Sequence, residues 1–380
     1  MKQVRLTAAG GGIVVGVIGQ GTALEFCASA GSLRQAVGLL RLGADLGMTL
    51  VDTAPSYEYG LAEAALGRAL GEARDRFVVA TKFPPECSAP DQLVASVESS
   101  LRRLHTDAID LLQIHWPHPT IPLAETLGAM VRLVERGLVR ALGLGNCTTE
   151  QLGAARRGEA APHLVAVQQE FSLAQRTAAT DTLPLCQEHG LALLAYSPLG
   201  RGRVVARGHG SATLARLARR LEVSPATVAL AWLAAESGVI PIPRASSEKH
   251  IRQNAAAGEL ALGPEDREEL ALAFAPHVEE IDPARIVVQD DDPAHPTYTT
   301  LEQARANGLG LVPGPSELAE RIAAGELLKP VRVEPLASGA TMTGYRLIEG
   351  RVRYWAWVIA WQGRRPITAI VETPGFEEAA

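Results

Sequence analysis

No uninterrupted apolar run in the 380 residues approaches the ~18 that a membrane helix needs, so no span is expected and a membrane is excluded as a partner. The first residues, MKQVRLTAAGGGIVVGVIGQGT, contain one apolar stretch. It is short, broken by glycine and followed by GQGT in place of a small-residue cleavage site, so no signal peptide is read there and a cytoplasmic location is expected. A positive excess is also missing. The 36 Lys and Arg against 42 Asp and Glu give a net charge of -6, which provides no field for nucleic-acid phosphates and disfavours nucleic acid as a partner. Cysteine is scarce: Cys27, Cys87, Cys147 and Cys186 lie far apart, with no CxxC pair and no histidine at metal-ligand spacing. Reduced thiols and no metal site are expected.

What is present is a hydrophobic fraction of 47%, with the charged residues dispersed along the chain, as a packed core requires. The length suits one large domain and one smaller one. From residue 13 to about 244, β-branched or leucine-rich runs alternate with alanine- and leucine-rich segments whose apolar residues recur at three- and four-residue spacing. The runs are VVGVIG, TLVDT, FVVATKF, DLLQIHW, VRALGLG, LVAVQQ, LALLAYS and VIPIPR. Strict alternation implies a parallel sheet, and eight repeats predict closure into a (β/α)8 TIM barrel.

A barrel of that kind gathers its chemistry at the C-terminal ends of its strands. Asp52 ends the second run, Lys82 the third, His115 the fourth, Asn146 the fifth and Tyr196 the seventh. If Asp52, Tyr57, Lys82 and His115 meet at one rim, a buried lysine cation favours the phenolate and lowers the tyrosine pKa, an aspartate holds the lysine, and a histidine can hydrogen-bond a carbonyl oxygen. Carbonyl reduction is the natural reaction of such a set. Each residue alone has a plainer explanation: Asp52 as a helix cap or turn residue, His115 as a satisfied core histidine, Lys82 as a solvated strand end.

The blocks DTAPSY, TKF, LRRLHTDAIDLLQIHWP, VRALGLGN, VQQEFSL, AYSPLGRG and IPIPR...HIRQN resemble, in order, the motifs of the aldo-keto reductases over residues 1 to about 277. The resemblance implies Asp52, Tyr57, Lys82 and His115 as the catalytic tetrad, with Tyr57, five residues after Asp52, as general acid-base. It implies an NAD(P)H-dependent oxidoreductase acting on a small-molecule carbonyl or the corresponding alcohol. By the same resemblance Gly21 and Thr22 line the cofactor, Asn146 and Gln168 bind its carboxamide, and Tyr196 stacks on the nicotinamide. The loop containing Ser197, Leu199 and Gly200 covers the pyrophosphate, and Arg201 pairs with its charge. Where the family often has a lysine, an arginine, a glutamate and an asparagine around the adenosine, this chain has Arg244, His250, Gln253 and Asn254. Arg244 with Ser247 favours NADPH over NADH, because a guanidinium matches phosphate geometry. Trp116 is expected to line the substrate pocket. Two departures are Glu58, where glycine commonly follows the tyrosine, and Gly145, where serine commonly precedes the asparagine. The segment PPECSAPDQ is short and the usual tail is replaced, which predicts an open mouth suited to a substrate larger than a simple aldehyde.

The pattern changes at PHVEEIDPARIVVQDDDPAHPTY, which is proline-rich and acidic and marks a boundary near residue 278. Residues 278–380 read as a small α+β domain, and SELAERIAAGELLKPVRVEP, GYRLIEGRVRYWAW and RPITAIV resemble the ParB-like fold shared with sulfiredoxin. That resemblance implies a phosphate or nucleotide such as ATP at the helix opened by EGRVRY, bound by Gly350, Arg351 and Arg353. Sulfiredoxin chemistry is excluded because no cysteine stands in the motif, and too few residues follow Val371 for a DNA-binding helix-turn-helix. Phosphotransfer as in ParB-like small-molecule kinases is left, with Glu326 as a candidate acid-base, alongside a purely structural or dimerising role. The sequence carries no signal for an oligomeric state. A phosphate-binding domain on a reductase suggests a nucleotide, nucleoside or sugar-phosphate substrate in a biosynthetic pathway. The alternatives are a cofactor-sensing regulatory protein whose barrel does not turn over, or a bifunctional reductase and small-molecule kinase.

Overall fold

Seven of the eight apolar runs fold as strands where their composition places them. The structure, a computed structural model, describes residues 1–371 apart from 9–10, 24–25, 207–209, 276, 290–296, 327 and 339–340. Its strands are β1 (Gln3–Ala8), β2 (Gly11–Gly16), β3 (Gln20–Gly21), β4 (Leu50–Asp52), β5 (Val78–Phe83), β6 (Ile109–Ile114), β7 (Val139–Gly145), β8 (Leu164–Glu170), β9 (Ala192–Tyr196) and β10 (Val239–Pro241), followed by five more after residue 276. Strands β3 to β10 form one parallel sheet in sequence order. It closes on itself through Gly19 N to Pro241 O (2.9 Å) and Gly21 N to Pro243 O (3.0 Å), so the unit Met1–Phe274 is a (β/α)8 barrel.

The first run behaves differently from expectation. VVGVIG is not the first barrel strand: Val14, Val15 and Gly16 belong to β2, which pairs antiparallel with β1, and the barrel strand is only Gln20–Gly21. The reason is burial. Leu6 and Val15 of the hairpin pack with Leu50, Ala80, Leu111, Ala141, Val165, Ala192, Leu194 and Ile240, residues that the barrel strands supply to their shared apolar cluster. A hairpin that joins this cluster takes the side chains of Leu6 and Val15 out of water. The helices between strands start on recognisable caps. Ser32 accepts from Gln35 N at the head of Leu33–Asp45, Thr148 and Gln151 form a reciprocal capping box before Thr149–Arg157, and Pro90 opens Pro90–Leu104.

The second unit, Ala275–Ala380, has its own core of Ile281, Ile286, Tyr298, Val331, Val333, Tyr345, Leu347, Tyr354, Trp355, Ile367 and Ala369. Its strands β11 (His277–Ile281), β12 (Ile286–Val287), β13 (Val331–Ser338), β14 (Thr341–Glu349) and β15 (Ile367–Val371) form a mixed sheet in the order β11-β15-β13-β14-β12. Helices Leu301–Ala306, Pro315–Ala323 and Arg351–Trp361 complete the α+β unit, the last opening at EGRVRY as the sequence pattern places it. The boundary segment is partly structured: HVEEI is a strand that pairs along its whole length with β15, while in RIVVQ only Ile286 and Val287 pair, with β14. A polar edge strand lacks the apolar alternation that marks a half-buried one, which is why its composition resembles a linker. The four cysteines are free thiols, and no helix among the described residues is long and apolar enough to cross a membrane.

Candidate active site

Parallel strands in register bring their last inward-facing residues to one level. Asp52 and Lys82 are almost completely buried, and Lys82 Nζ donates to Asp52 Oδ2 at 2.7 Å, to Thr53 O at 3.0 Å and to Tyr57 Oη at 3.2 Å. His115 follows β6 directly and its ring meets that of Tyr57 edge-on, with 5.8 Å between centroids. All four residues of the expected tetrad are therefore together. Helix-cap and solvated-strand explanations for Asp52 and Lys82 do not survive, since both groups are inside and bonded to each other.

The electrostatics correct one expectation. Burial raises the Tyr57 pKa; the Lys82 charge and its hydrogen bond lower it and Asp52 raises it again, and the result is a pKa above the ordinary tyrosine value. Lys82 does pull toward the phenolate, but desolvation of a mostly buried ring outweighs it. Tyr57 thus keeps its proton at neutral pH. Burial disfavours the Lys82 cation, yet Asp52 and Tyr57 more than offset this and raise its pKa. Burial and the nearby Lys82 charge push His115 down to about 4, against an opposing pull from Asp52, so its imidazole is neutral. The site offers a neutral acid, a fixed cation behind it and a neutral hydrogen-bonding imidazole.

One polar partner escaped the sequence reading. Asp52 Oδ1 accepts from Gln113 Nε2 at 3.1 Å and from Gln168 Nε2 at 2.8 Å. Gln113 lies on β6 two residues before His115, at the inward parity of a barrel strand. A polar residue at that parity is the signal that could have found it. Strand β5 is steadied on its other face, where Glu63, fully buried, accepts from Thr81 Oγ1 and from Arg103 Nε, both at 2.7 Å.

Glu58 neither contacts the Tyr57 hydroxyl nor reaches toward the site. Its carboxylate accepts from the backbone N–H of Cys27 (2.8 Å) and Ala28 (3.0 Å), in the short helix Phe26–Ser29. This clamp accompanies a strained turn: Glu58 (φ 48°) and Tyr59 (φ 54°) are both left-handed, at a cost of roughly 1–2 kcal/mol each. Glu58→Ala loses the clamp and keeps the strain, whereas Glu58→Gly loses the clamp and relieves it. Thermal melts are expected to show Ala at 58 destabilising by ~1–2 kcal/mol and Gly by less; equal effects would mean the left-handed backbone is not a constraint. Tyr59 is fully exposed.

The residues expected around a cofactor divide into two groups. Asn146 Nδ2 donates to His115 O (2.9 Å) and its Oδ1 accepts from Tyr196 Oη (2.9 Å), so these two side chains are tied together beside the tetrad. Around 197–202 the backbone is left-handed at Ser197, Gly200, Arg201 and Gly202, and Arg201 is exposed. Leu199 is half-buried in this loop. On another side Arg244, exposed, donates to Ser29 Oγ, and Ser247 caps helix Glu248–Ala257 by accepting from His250 N. His250 is exposed, Gln253 half-buried and Asn254 buried. Gly21 and Thr22 sit deeper than a lining role suggests. A Cβ on Gly21 would lie 2.7 Å from Ile242 O, and the buried Thr22 hydroxyl donates to Asp52 O at 3.0 Å. Gly145 has a similar cause, since a Cβ there would meet Ile114 O at 2.5 Å and His115 O at 2.8 Å. A serine side chain at 145 would run into the carbonyls of Ile114 and His115. Trp116 is 46% exposed next to His115.

In the second unit the expected phosphate ligands are otherwise engaged. Arg353 donates to Lys329 O (3.1 Å), Pro330 O (2.9 Å) and Glu349 Oε1 (3.2 Å), which braces the start of its helix. Gly350 is its left-handed cap and Arg351 its first residue. The Glu326 carboxylate accepts from Arg321 Nε (2.6 Å) and Nη2 (2.9 Å) as an ion pair.

Comparison with known proteins shows what the barrel is similar to. The sequence model described as "Aldo/keto reductase family" matches residues 18–272. The methylglyoxal reductase YeaE of Escherichia coli K12 is 32% identical over 265 residues, 70% of this chain and 93% of that protein. A crystal structure of an aldo-keto reductase from Klebsiella pneumoniae in complex with NADPH is 35% identical, with a TM-score of 0.67 over 73% of this chain and 97% of that one. The glycerol dehydrogenase AKR11B4 of Gluconobacter oxydans is 26% identical, with a TM-score of 0.64 over 71% of this chain and 95% of that one.

Proposed function

The chain belongs to the aldo/keto reductase family, and we propose that its barrel reduces a small carbonyl compound with NADPH through the tetrad Asp52, Tyr57, Lys82 and His115. The observation that carries this reading is the unbroken chain from Asp52 through the buried Lys82 ammonium to the Tyr57 hydroxyl, with a neutral His115 beside it. Donor chemistry fits a nicotinamide dinucleotide. The neutral amides of Asn146 and Gln168 and the Tyr196 ring stand at neighbouring strand ends for an uncharged amide ring, while Arg201 and Arg244 are exposed cations for its phosphates. Bound NADPH supplies the hydride. Tyr57 delivers the proton to the carbonyl oxygen, Lys82 stabilises the phenolate left behind, and Asp52 keeps Lys82 charged. A neutral imidazole at 115 donates a hydrogen bond that orients the same oxygen without competing as an acid. Alcohol oxidation is the reverse of these steps.

The relative named a methylglyoxal reductase makes a small α-dicarbonyl the first substrate to try. NADPH consumption with methylglyoxal and a panel of aldehydes and ketones, repeated with NADH, is expected to show turnover and an NADPH preference. No oxidation of either cofactor by any of them would refute the reductase. For the rest of the chain we propose the division 1–277 and 278–380, and a ParB/sulfiredoxin-like arrangement in the second part, supported by the order of its elements. A nucleotide role for that part gains nothing from Arg353 or Glu326, whose charged groups are paired within the unit, and the proposed substrate class rests on the barrel.

A further inference from the structure

We infer that Gln113 is a positioning residue of the site, holding the Asp52 carboxylate and the Gln168 amide in one orientation through a closed hydrogen-bonded ring, for which Gly143 leaves the space. The inference rests on the reading of the barrel mouth as the reductase site. Gln113 is fully buried, and a buried amide is retained only where its groups find partners. An ionised carboxylate accepts and cannot donate, so both glutamines must turn their NH2 groups toward Asp52 Oδ1. With that fixed, Gln113 Oε1 is left to accept the other N–H of Gln168, and the two atoms lie 3.4 Å apart. Asp52, Gln113 and Gln168 therefore close a ring in which every orientation is determined by the others.

The barrel is shaped around this ring. Gln113 pairs in register with Lys82 on one side and Gly143 on the other. A Cβ at Gly143 would lie 2.9 Å from Gln113 Cγ, 3.2 Å from Ala166 O and 3.4 Å from Gln113 Oε1, so a side chain at 143 would force the Gln113 amide to shift against Asp52. Two consequences follow for the chemistry. With Oδ1 held by two amides, Oδ2 is the atom presented to Lys82, and the ammonium stays between Asp52 and Tyr57. With both Gln168 N–H groups in the ring, its Oε1 is the atom left to accept from an amide donor such as a carboxamide NH2.

The test uses the full chain and Gln113→Met, which keeps length but has no donor, with Gln113→Glu beside it. Gln113→Met is expected to weaken NADPH binding several-fold in a fluorescence titration. It should also lower kcat about tenfold, because a hydrogen bond to a charged group is lost. Its high-pH limb should move upward, because a carboxylate with one donor fewer draws Lys82 away from the phenolate. Gln113→Glu restores the donor only while the introduced carboxyl is protonated. Its activity should fall with rising pH through a limb absent from the wild type, at a position raised by the neighbouring Asp52. If Gln113→Met does not fold, Gly143→Ala keeps the amide, displaces it, and is expected to reproduce all three effects. Wild-type NADPH affinity, kcat and pH profile in Gln113→Met would overturn the inference. A wild-type chain that binds NADPH but reduces no carbonyl would refute the reductase, and the NADPH titration of the variants would still decide the role of Gln113.

Discussion

Tyr57→Phe is expected to leave a folded protein that binds NADPH normally and reduces carbonyls about a hundredfold to ten-thousandfold more slowly, the range that a positioned general acid supplies. The ring itself should stay in place. It packs edge-on against His115 and lies 5.0 Å from the Lys82 ammonium, contacts that phenylalanine retains. Only the hydroxyl, 3.2 Å from Lys82 Nζ, is removed. The pH profile gives an independent check. His115 is held near 4, so it does not titrate between pH 5 and 8, and reduction should show no limb in that window. The proton on Tyr57 is present below its pKa, and because burial raises that pKa, reduction should persist to higher pH than an ordinary tyrosine allows. Activity within tenfold of wild type in Tyr57→Phe, or a limb near pH 6.5 that disappears in His115→Gln, would refute these assignments.

The parts of this arrangement visible in the sequence are those whose position follows from strand periodicity. Asp52, Lys82 and His115 stand at the ends of regular apolar runs, and a parallel barrel must then bring them to one rim. Gln113 stood on the same inward parity but inside a run, where a single polar residue looks like noise. Its role needs the neighbouring strand to carry no side chain at Gly143, a relation between positions far apart in sequence. The hairpin β1–β2 was hidden for a related reason: its apolar alternation is that of a strand, and only its burial with Leu50 and Leu111 separates it from the first barrel strand. Glu58 is the neighbour in sequence of the proposed proton donor, but its carboxylate does not act on it. A left-handed backbone at 58 turns the carboxylate onto Cys27 and Ala28, and the hint of that handedness was the glycine commonly found at this position, which a substitution to glutamate hides. The balance of burial against the Lys82 charge at Tyr57 was likewise out of reach, because both favour opposite outcomes and only their geometry decides.

The second large effect concerns what holds Lys82 charged in the barrel. Removing one partner of a buried ion pair leaves the other uncompensated and costs ~3–5 kcal/mol, so Asp52→Asn and Lys82→Met should each destabilise the barrel by about that much. The two should not cost the same. After Lys82→Met the Asp52 carboxylate keeps two amide donors on Oδ1, whereas after Asp52→Asn the ammonium keeps only Thr53 O and Tyr57 Oη, neither of them charged in the resting site. Asp52→Asn should therefore be the costlier. In the double variant the asparagine oxygen still accepts from Gln113 and Gln168 and no charge is left buried. Its cost should be no greater than that of the worse single variant, a coupling of roughly 3 kcal/mol or more. Hydrogen exchange in peptides spanning β4 and β5 reads this separately from the second unit, whose three tryptophans would mix into a fluorescence signal. Additive costs would show that the charges do not depend on each other. The double variant should be as inactive as Tyr57→Phe in spite of its recovered stability, because the cation that stabilises the phenolate is gone. A fold regained without turnover would separate the two roles of the pair.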